Sequence, residues 1–411
     1  MTTNFTMSTP LRARAAPSLQ AGRGDVVDEM MLVLALVVLP LDFPMAQPVR
    51  PLVTLLLLAY GALRWRSLAP VLWQGRWFLA LPLFCFLSMI WADRPMAAFR
   101  HGALLSLTMG FAALFAARLD PRQIAVAVLL SQGGLALASL IIDASGGVGG
   151  WSGVFAHKNV LGQRMLFLTL AGAAILLRPG YRGLWKLTAL ILLPLALFLV
   201  ARSNSATAVI LLAVMVPVAG LLALVWAPAA SVRGLRPALV LGVLATGALA
   251  LLILVNVYHI EPVNDLLDAF GKDRTLTKRT EIWALGNRAI AEAPWLGVGA
   301  ANFWLVDNWT ALQLTTRFQT MTQTFSFHNL YYQLIVDLGL IGLLVSLSVY
   351  GRAVYGIVAT WWRDQRFADP FFITLTAVFV IRSLSEAELF YALVMGPILF
   401  WIMAFSALVR R

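Results

Sequence analysis

Long apolar runs follow one another along this chain, separated by short polar gaps. About twelve can be drawn, at approximately 27–46, 51–63, 77–91, 101–117, 123–142, 160–177, 184–201, 206–227, 237–257, 329–351, 370–384 and 389–408. Roughly 20 apolar residues span the hydrocarbon core of a bilayer as a helix. Within lipid, a helix satisfies its own backbone. The pattern therefore predicts an all-α polytopic membrane protein with about 12 transmembrane helices. Helices 1–9 occupy 27–257, and helices 10–12 with a short tail occupy 329–411. The second and third runs are short. Pro48, Pro51, Pro70, Pro121, Pro179, Pro237 and Pro370 mark run ends. No direct or inverted repeat is visible.

One gap is unlike the rest. Residues 258–328 form the only long polar segment between apolar runs. Inside it, Thr280 reads as a helix N-cap, and Ile282, Trp283, Leu285, Ala289 and Ile290 give partial helical periodicity up to Pro294. The large loop is thus expected to contain short amphipathic helices. Pro294-Trp295-Leu296-Gly297-Val298-Gly299 reads as a tight turn. Residues 1–26 read as a flexible cytoplasmic tail before a retained first span, because no apolar stretch with a small-residue cleavage site precedes it.

Composition agrees with the membrane reading: 411 residues are 60% hydrophobic and only 12% charged, where soluble domains carry roughly a quarter. Cys85 is the single cysteine, so no intramolecular disulfide forms. The net charge of +12 is mostly arginine in alternate gaps, without the stripe that nucleic acid would need. Gaps on the side of the N-terminus hold Arg64, Arg66 and Arg76, then Arg178, Arg182 and Lys186, then Arg352, Arg363 and Arg366. The short gaps on the other side and their flanks hold fewer: Arg50, Arg94, Arg100, Lys158, Arg164, Arg202 and Arg382. The positive-inside rule puts both termini in the cytoplasm and the large loop outside. External cations oppose that bias, so those within motifs draw attention as anion ligands.

Four motifs carry candidate chemistry. Gly153-Val-Phe-Ala-His157-Lys158-Asn159-Val-Leu-Gly162 opens the sixth span after Gly146, Gly147, Gly149 and Gly150. Small residues there allow close backbone approach to a ligand, and Lys158 adds charge at a helix N-terminus suited to anions. Arg202-Ser203-Asn204-Ser205 forms a tight external turn, where a guanidinium can grip a phosphate with two hydrogen bonds. Lys278-Arg279 opens the amphipathic stretch, and Arg274 and Arg288 lie in the same loop. His328-Asn329-Leu330-Tyr331 stands where the loop re-enters the bilayer, and a neutral imidazole there can take up a proton. Asp337 follows inside the tenth span, where a carboxylate is functional or paired within the bundle. The histidines, at 101, 157, 259 and 328, show no metal-ligand spacing, and no phosphate-binding Walker sequence occurs.

These motifs, in this order from about residue 150 to about 345, resemble the O-antigen ligase and Wzy polymerase superfamily. The His157-Lys158-Asn159 string is most similar to its branch of ExoQ-type exopolysaccharide polymerases. The resemblance implies a multi-pass protein of the bacterial inner membrane with a large periplasmic catalytic loop. It implies a metal-independent, inverting glycosyltransferase without cofactor. The donor would be an undecaprenyl-pyrophosphate-linked oligosaccharide, and the acceptor a glycan or lipid A-core. Membrane lipids and polysaccharide-assembly proteins would be its other partners. By motif match, Arg202 and Arg279 would hold the pyrophosphate and His328 would be the general base. Lys158, His157, Asn159, Arg288, Arg274 and Lys278 would bind substrate.

Fixed cations aimed at the charge that grows on a departing pyrophosphate stabilise the transition state more than the ground state. Polymerisation is favoured over ligation to lipid A-core. The rival from another class, a transporter or flippase for lipid-linked sugars, would show inverted repeats and charged groups near the midplane of interrupted spans.

Overall fold

The computed structural model describes residues 24–41, 48–142, 150–242, 245, 279–305, 308, 309, 311, 312, 325–364, 367 and 369–410. Residues 1–23, the glycines of 143–149, the end of the ninth apolar run, and His259, Lys272, Arg274, Lys278 and Arg317 lie outside them. All regular structure among the described residues is helical. In chain order we label α1 Val26–Val38, α2 Val49–Leu63, α3 Trp65–Gln74, α4 Ala80–Leu87, α5 Pro95–Arg118, α6 Pro121–Ile141, α7 Lys158–Leu177, α8 Gly183–Ser203 and α9 Ala206–Ala229. Then come α10 Arg279–Glu292, α11 Leu330–Arg363, α12 Pro370–Arg382 and α13 Met395–Val409.

Side-chain caps explain where several helices start. Asp25 and Asp28 form a capping box at α1, and Asp120 and Gln123 form one at α6. Asn329 accepts from the amides of Tyr331 and Tyr332 at α11, and Asp369 accepts from that of Phe371 at α12. Pro95, Pro121 and Pro370 occupy first-turn positions, where the missing N–H is not needed.

Six helices among the described residues are long and apolar enough to cross a membrane, or up to seven if α2 and α3 count as one bent span. Several apolar runs depart from the straight-helix expectation, among them the second and the last. The second run forms only α2, and the arginine-bearing gap after it folds as α3, with a bend of 91° between them. The last run is not one helix: a 3-10 turn at Glu388–Phe390 and an irregular stretch precede α13.

The core forms around α7 and α13. The apolar stretch of α7 is 83% buried inside the protein, against 28% for α8 and 22% for α9, which turn their faces outward. Trp401, Phe400 and Phe405 of α13 are fully buried and pack with Phe78, Phe379 and Tyr350. The bundle has two polar ends. At one, Arg64 pairs with Asp25 at 2.9 Å, Arg118 with Asp28 at 3.0 Å and Arg178 with Asp369 at 3.3 Å. The other gathers the start of α7, the end of α8, the start of α11 and the end of α12. A separate small aromatic core, including Phe303, Trp304 and Phe327, joins α10 to the start of α11.

Candidate active site

The start of α11 rests on a broken helix. Gly339 takes φ 67° and interrupts α11 one residue before Leu340. In a straight helix the amides of Leu340 and Ile341 would donate to the carbonyls of Val336 and Asp337. Here both amides donate instead to Pro294 and Trp295 O, at 2.8 and 3.2 Å. The orphaned carbonyls of Val336 and Asp337 accept from the amides of Val298 and Gly299, at 3.0 and 2.8 Å. Residues Pro294–Gly299 thus replace two rungs of the helix ladder, which satisfies the requirement that non-helical backbone in a span be paired. A Cβ at Gly339 would stand 2.3 Å from Trp295 O, and one at Gly297 2.6 Å from Gly339 N. The segment expected as a tight turn is therefore a strap across a helix break. Asp337 pins it further, accepting from Gln333 Nε2 at 3.0 Å and from the amide of Ala301 at 3.2 Å.

On this platform sits His328, whose φ of 48° is unusual for a non-glycine residue. The neighbouring bonds hold it there. Its amide donates to Ser326 Oγ, Asn329 Nδ2 donates to Leu384 O at 3.1 Å, and the amide of Leu330 donates to Ser383 O at 2.9 Å. The loop re-entry is thereby docked on the turn that follows α12. The docking brings His328 Nδ1 to 3.1 Å from Glu386 Oε2. The other oxygen, Glu386 Oε1, lies 3.7 Å from Nη2 of Arg279 at the start of α10.

Glu386 is the hub of this cluster. Burial raises its carboxyl pKa, but the hydrogen bond from His328 and the charges of Arg382 and Arg279 outweigh burial and hold it below the usual carboxylate range. An ionised carboxylate only accepts, so His328 Nδ1 carries a proton and, in the neutral ring, Nε2 keeps its lone pair. Arg279 is depressed by burial and by Arg382, and Glu386 opposes that shift. At 3.7 Å the Arg279–Glu386 contact is a charge pair rather than a hydrogen bond. A second carboxylate lies alongside: Glu388 accepts from Gln163 Nε2 of α7 and meets Arg382 Nε at 3.6 Å.

Two consecutive residues of α7 link this cluster to the other motifs. Gln163 reaches Glu388, while Gly162 faces the turn after α8, where an added Cβ would stand 2.8 Å from Ser205 Cβ and 2.9 Å from Ser203 Oγ. In that turn Arg202 lies over the Trp151 ring at 4.6 Å, and the amide of Trp151 donates to Arg202 O at 2.9 Å. At the head of α7, His157 Nδ1 accepts from the amide of Asn159 at 3.1 Å. The two histidines therefore have opposite proton patterns: a neutral His157 carries its proton on Nε2, a neutral His328 on Nδ1.

Of the residues singled out from sequence, Arg279 and His328 meet through Glu386. Arg202, His157, Lys158 and Asn159 stand at the same end of the bundle, without direct contact between Arg202 and His328 among the described residues. Arg288 lies on the exposed face of α10, and Arg274 and Lys278 are outside the described residues. Sequence reasoning passed over Glu386, Glu388, Arg382 and Gln163 as a group. The available signal was two carboxylates spaced by one residue, beside an external arginine, in a chain with only 19 acidic residues. Among the described residues no three metal-ligand side chains converge; the polar groups that do converge are cations, carboxylates and an imidazole.

Two comparisons with known proteins cover these segments. A family model described as O-antigen ligase matches residues 187–347, which run from within α8 through the strap, His328 and the break at Gly339 into the second part of α11. The chain is also 28% identical over 351 residues to the exopolysaccharide production protein ExoQ of Rhizobium meliloti strain 1021, covering 82% of this chain and 77% of that protein. The chain is thus a multi-pass membrane protein whose residues 187–347 match an O-antigen ligase family model and which is similar, over most of its length, to a protein of exopolysaccharide production.

Proposed function

We propose that the protein is a metal-independent, inverting glycosyltransferase. It moves a glycan from undecaprenyl pyrophosphate to an acceptor sugar hydroxyl, as a polymerase of exopolysaccharide or O-antigen. The observation that carries this reading is the His328–Glu386–Arg279 cluster, with Nδ1 of His328 held by a carboxylate and Nε2 left as acceptor. In the proposed step, Nε2 of His328 takes the proton of the acceptor hydroxyl. That oxygen attacks the anomeric carbon from the side opposite the phosphate, and the bond to the pyrophosphate oxygen breaks. Arg279 and Arg202 receive the departing charge, and Glu386 holds the imidazole and stabilises the imidazolium. The guanidinium of Arg279 keeps N–H donors for phosphate because its contact with Glu386 is a charge pair only. Lys158, Asn159 and Arg288, with Arg274 and Lys278, complete the substrate-binding set. His157, with its proton on Nε2, serves as a hydrogen-bond donor.

We further propose twelve crossings of a bacterial inner membrane, both termini in the cytoplasm and the 258–328 loop in the periplasm. Two short helices support this count. The N-cap of α12, Asp369, pairs with Arg178 at one end of the bundle, while its last residue, Arg382, meets Glu388 at the other. Helix α13 begins with Gly396 beside Glu388 and reaches Phe405, which faces Gly75 between α3 and α4. Both therefore join the two polar ends despite having 13 and 15 residues. Ligation to lipid A-core is the second reading, favoured by the description of the matched domain model.

The test uses purified full-length protein and a lipid-linked oligosaccharide donor. Arg202→Ala and Arg279→Ala should each lower transfer by about 10²–10³-fold, the usual effect of removing one charge-stabilising donor. Lysine at either position should restore only part of it, because an ammonium lacks the planar fork. Near-normal turnover in both alanine variants would remove the pyrophosphate clamp. Lengthened glycan as product supports the polymerase, and modified lipid A-core supports the ligase.

A further inference from the structure

The end of the bundle opposite the candidate active site holds a cavity that none of the above chemistry uses. Its volume is about 260 Å³, and it lies between the last turns of α11 and the end of α13. Tyr355, Ala359 and Arg363 line it from one stripe of α11, Thr360 and Asp364 from the next, and Arg410 from α13. Thr360 Oγ1 donates to Ala407 O at 3.2 Å, which ties the two helices together beneath the cavity.

Two guanidiniums against one carboxylate leave the cavity net positive. Arg410 also lies over the Phe367 ring at 5.8 Å. Arginines at helix C-termini suit the helix dipole, and that accounts for cations at these two ends. It does not account for a cavity between them. Nor does it account for what leads there. Along α11, Ile341, Leu344, Leu347 and Tyr355 are all exposed, at helical spacing, and Tyr355 is the most exposed at 65%. This face, which also exposes Ser348, Gly351 and Arg352 between Leu347 and Tyr355, runs down the outside of a membrane-crossing helix and ends at the arginine pair.

We propose that this cavity binds the headgroup of an anionic phospholipid of the bilayer, with an acyl chain along the exposed stripe of α11. A free phosphate would use the arginines but not the stripe, and a zwitterionic lipid would use the stripe but present an ammonium to the arginines. An anionic phospholipid matches both features, as basic pockets between transmembrane helices do elsewhere. The site is separate from the proposed transfer chemistry, so its test does not depend on activity.

The experiment is native mass spectrometry of the purified full-length protein, titrated with phosphatidylglycerol or phosphatidylcholine, with thermal melting in parallel. Wild type should retain phosphatidylglycerol at least fivefold better than phosphatidylcholine and melt higher in its presence. The Arg363→Gln/Arg410→Gln pair should lose that preference, and the Arg363→Lys/Arg410→Lys pair should keep part of it. Equal retention of the two lipids by wild type, or an unchanged preference in the glutamine pair, would overturn the site. Inorganic phosphate that displaces the lipid at matched concentration would place a free anion there instead. If the glutamine pair fails to fold, the wild-type preference and the two single variants decide the matter.

Discussion

The two polar ends of the bundle pair their charges in different ways. At the end with Asp28 and Asp369, carboxylates and arginines are fitted closely. Asp28 is fully buried, accepts from the Tyr60 hydroxyl and meets Arg118 at 3.0 Å. Asp369 caps α12, accepts from Tyr181 O–H at 2.9 Å and meets Arg178 at 3.3 Å. At the end with His328, the Arg–Glu contacts are longer, 3.7 Å for Arg279–Glu386 and 3.6 Å for Arg382–Glu388, and the central residue adopts a left-handed backbone. Close pairs with capping roles are what helix ends need. Loose pairs around an imidazole leave cations with donors to spare and hold a group in a conformation it would not choose. Under the proposed function, the contrast separates charges that hold the fold from charges arranged for a ligand.

That contrast can be broken by experiment. The largest effect on folding belongs to the first end. Asp369→Ala removes the cap of α12 and the fully buried carboxylate that the partly buried Arg178 pairs with, which costs on the order of 3–5 kcal/mol. Melting of the purified protein should fall steeply while transfer per folded molecule stays near wild type. A variant that melts normally but transfers poorly would reverse the assignment of the two ends.

His328→Ala should behave the other way, with transfer lowered roughly a hundredfold or more and melting little changed. His157→Gln sharpens the comparison. Its loss should be no more than about tenfold, because an N-cap amide acceptor is worth roughly 1 kcal/mol. A dead His157→Gln beside an active His328→Ala would move the base to the other histidine.

The smallest effect concerns pH. The folded state holds the Glu386 carboxyl below its ordinary value. Its stabilisation is therefore complete above the unfolded value, about 4.3, and is lost as pH falls through the lower folded value. The melting-temperature gap between wild type and Glu386→Gln should shrink as pH falls below about 4. A gap that stays unchanged well below pH 4 would mean that the folded state does not hold Glu386 ionised.

What the sequence made legible follows from which signals survive in one dimension. The membrane-helical class is written in run length and charge. His328 stands out because a titratable group at the edge of an apolar run is conspicuous, and Arg279 because it opens the amphipathic stretch of the long loop. Glu386 and Glu388 do not stand out, since residues 385–388 read as a short connector and 389–408 as one further apolar run. Only the folded chain shows the 3-10 turn and irregular stretch that open it toward His328. Gly339 is silent for the same reason: a glycine inside an apolar run looks like continuous helix, and its partners lie about forty positions upstream, in Pro294–Gly299. Helix α3 is hidden because its arginines look like a gap between spans, although Leu68 and Val71 give it a buried face.

The strap has a consequence for anyone who would exchange specificity between relatives. A loop carried on two flexible stems could be transplanted alone, with its donor and acceptor preferences intact. Here the stretch from Pro294 to Gly299 completes the backbone of α11, so the loop and that helix form one inheritable unit. A chimera cut at the membrane surface would leave four backbone groups of a bilayer helix without partners. A graft with its far boundary beyond Ile341 would transfer the strap together with the helix that receives it.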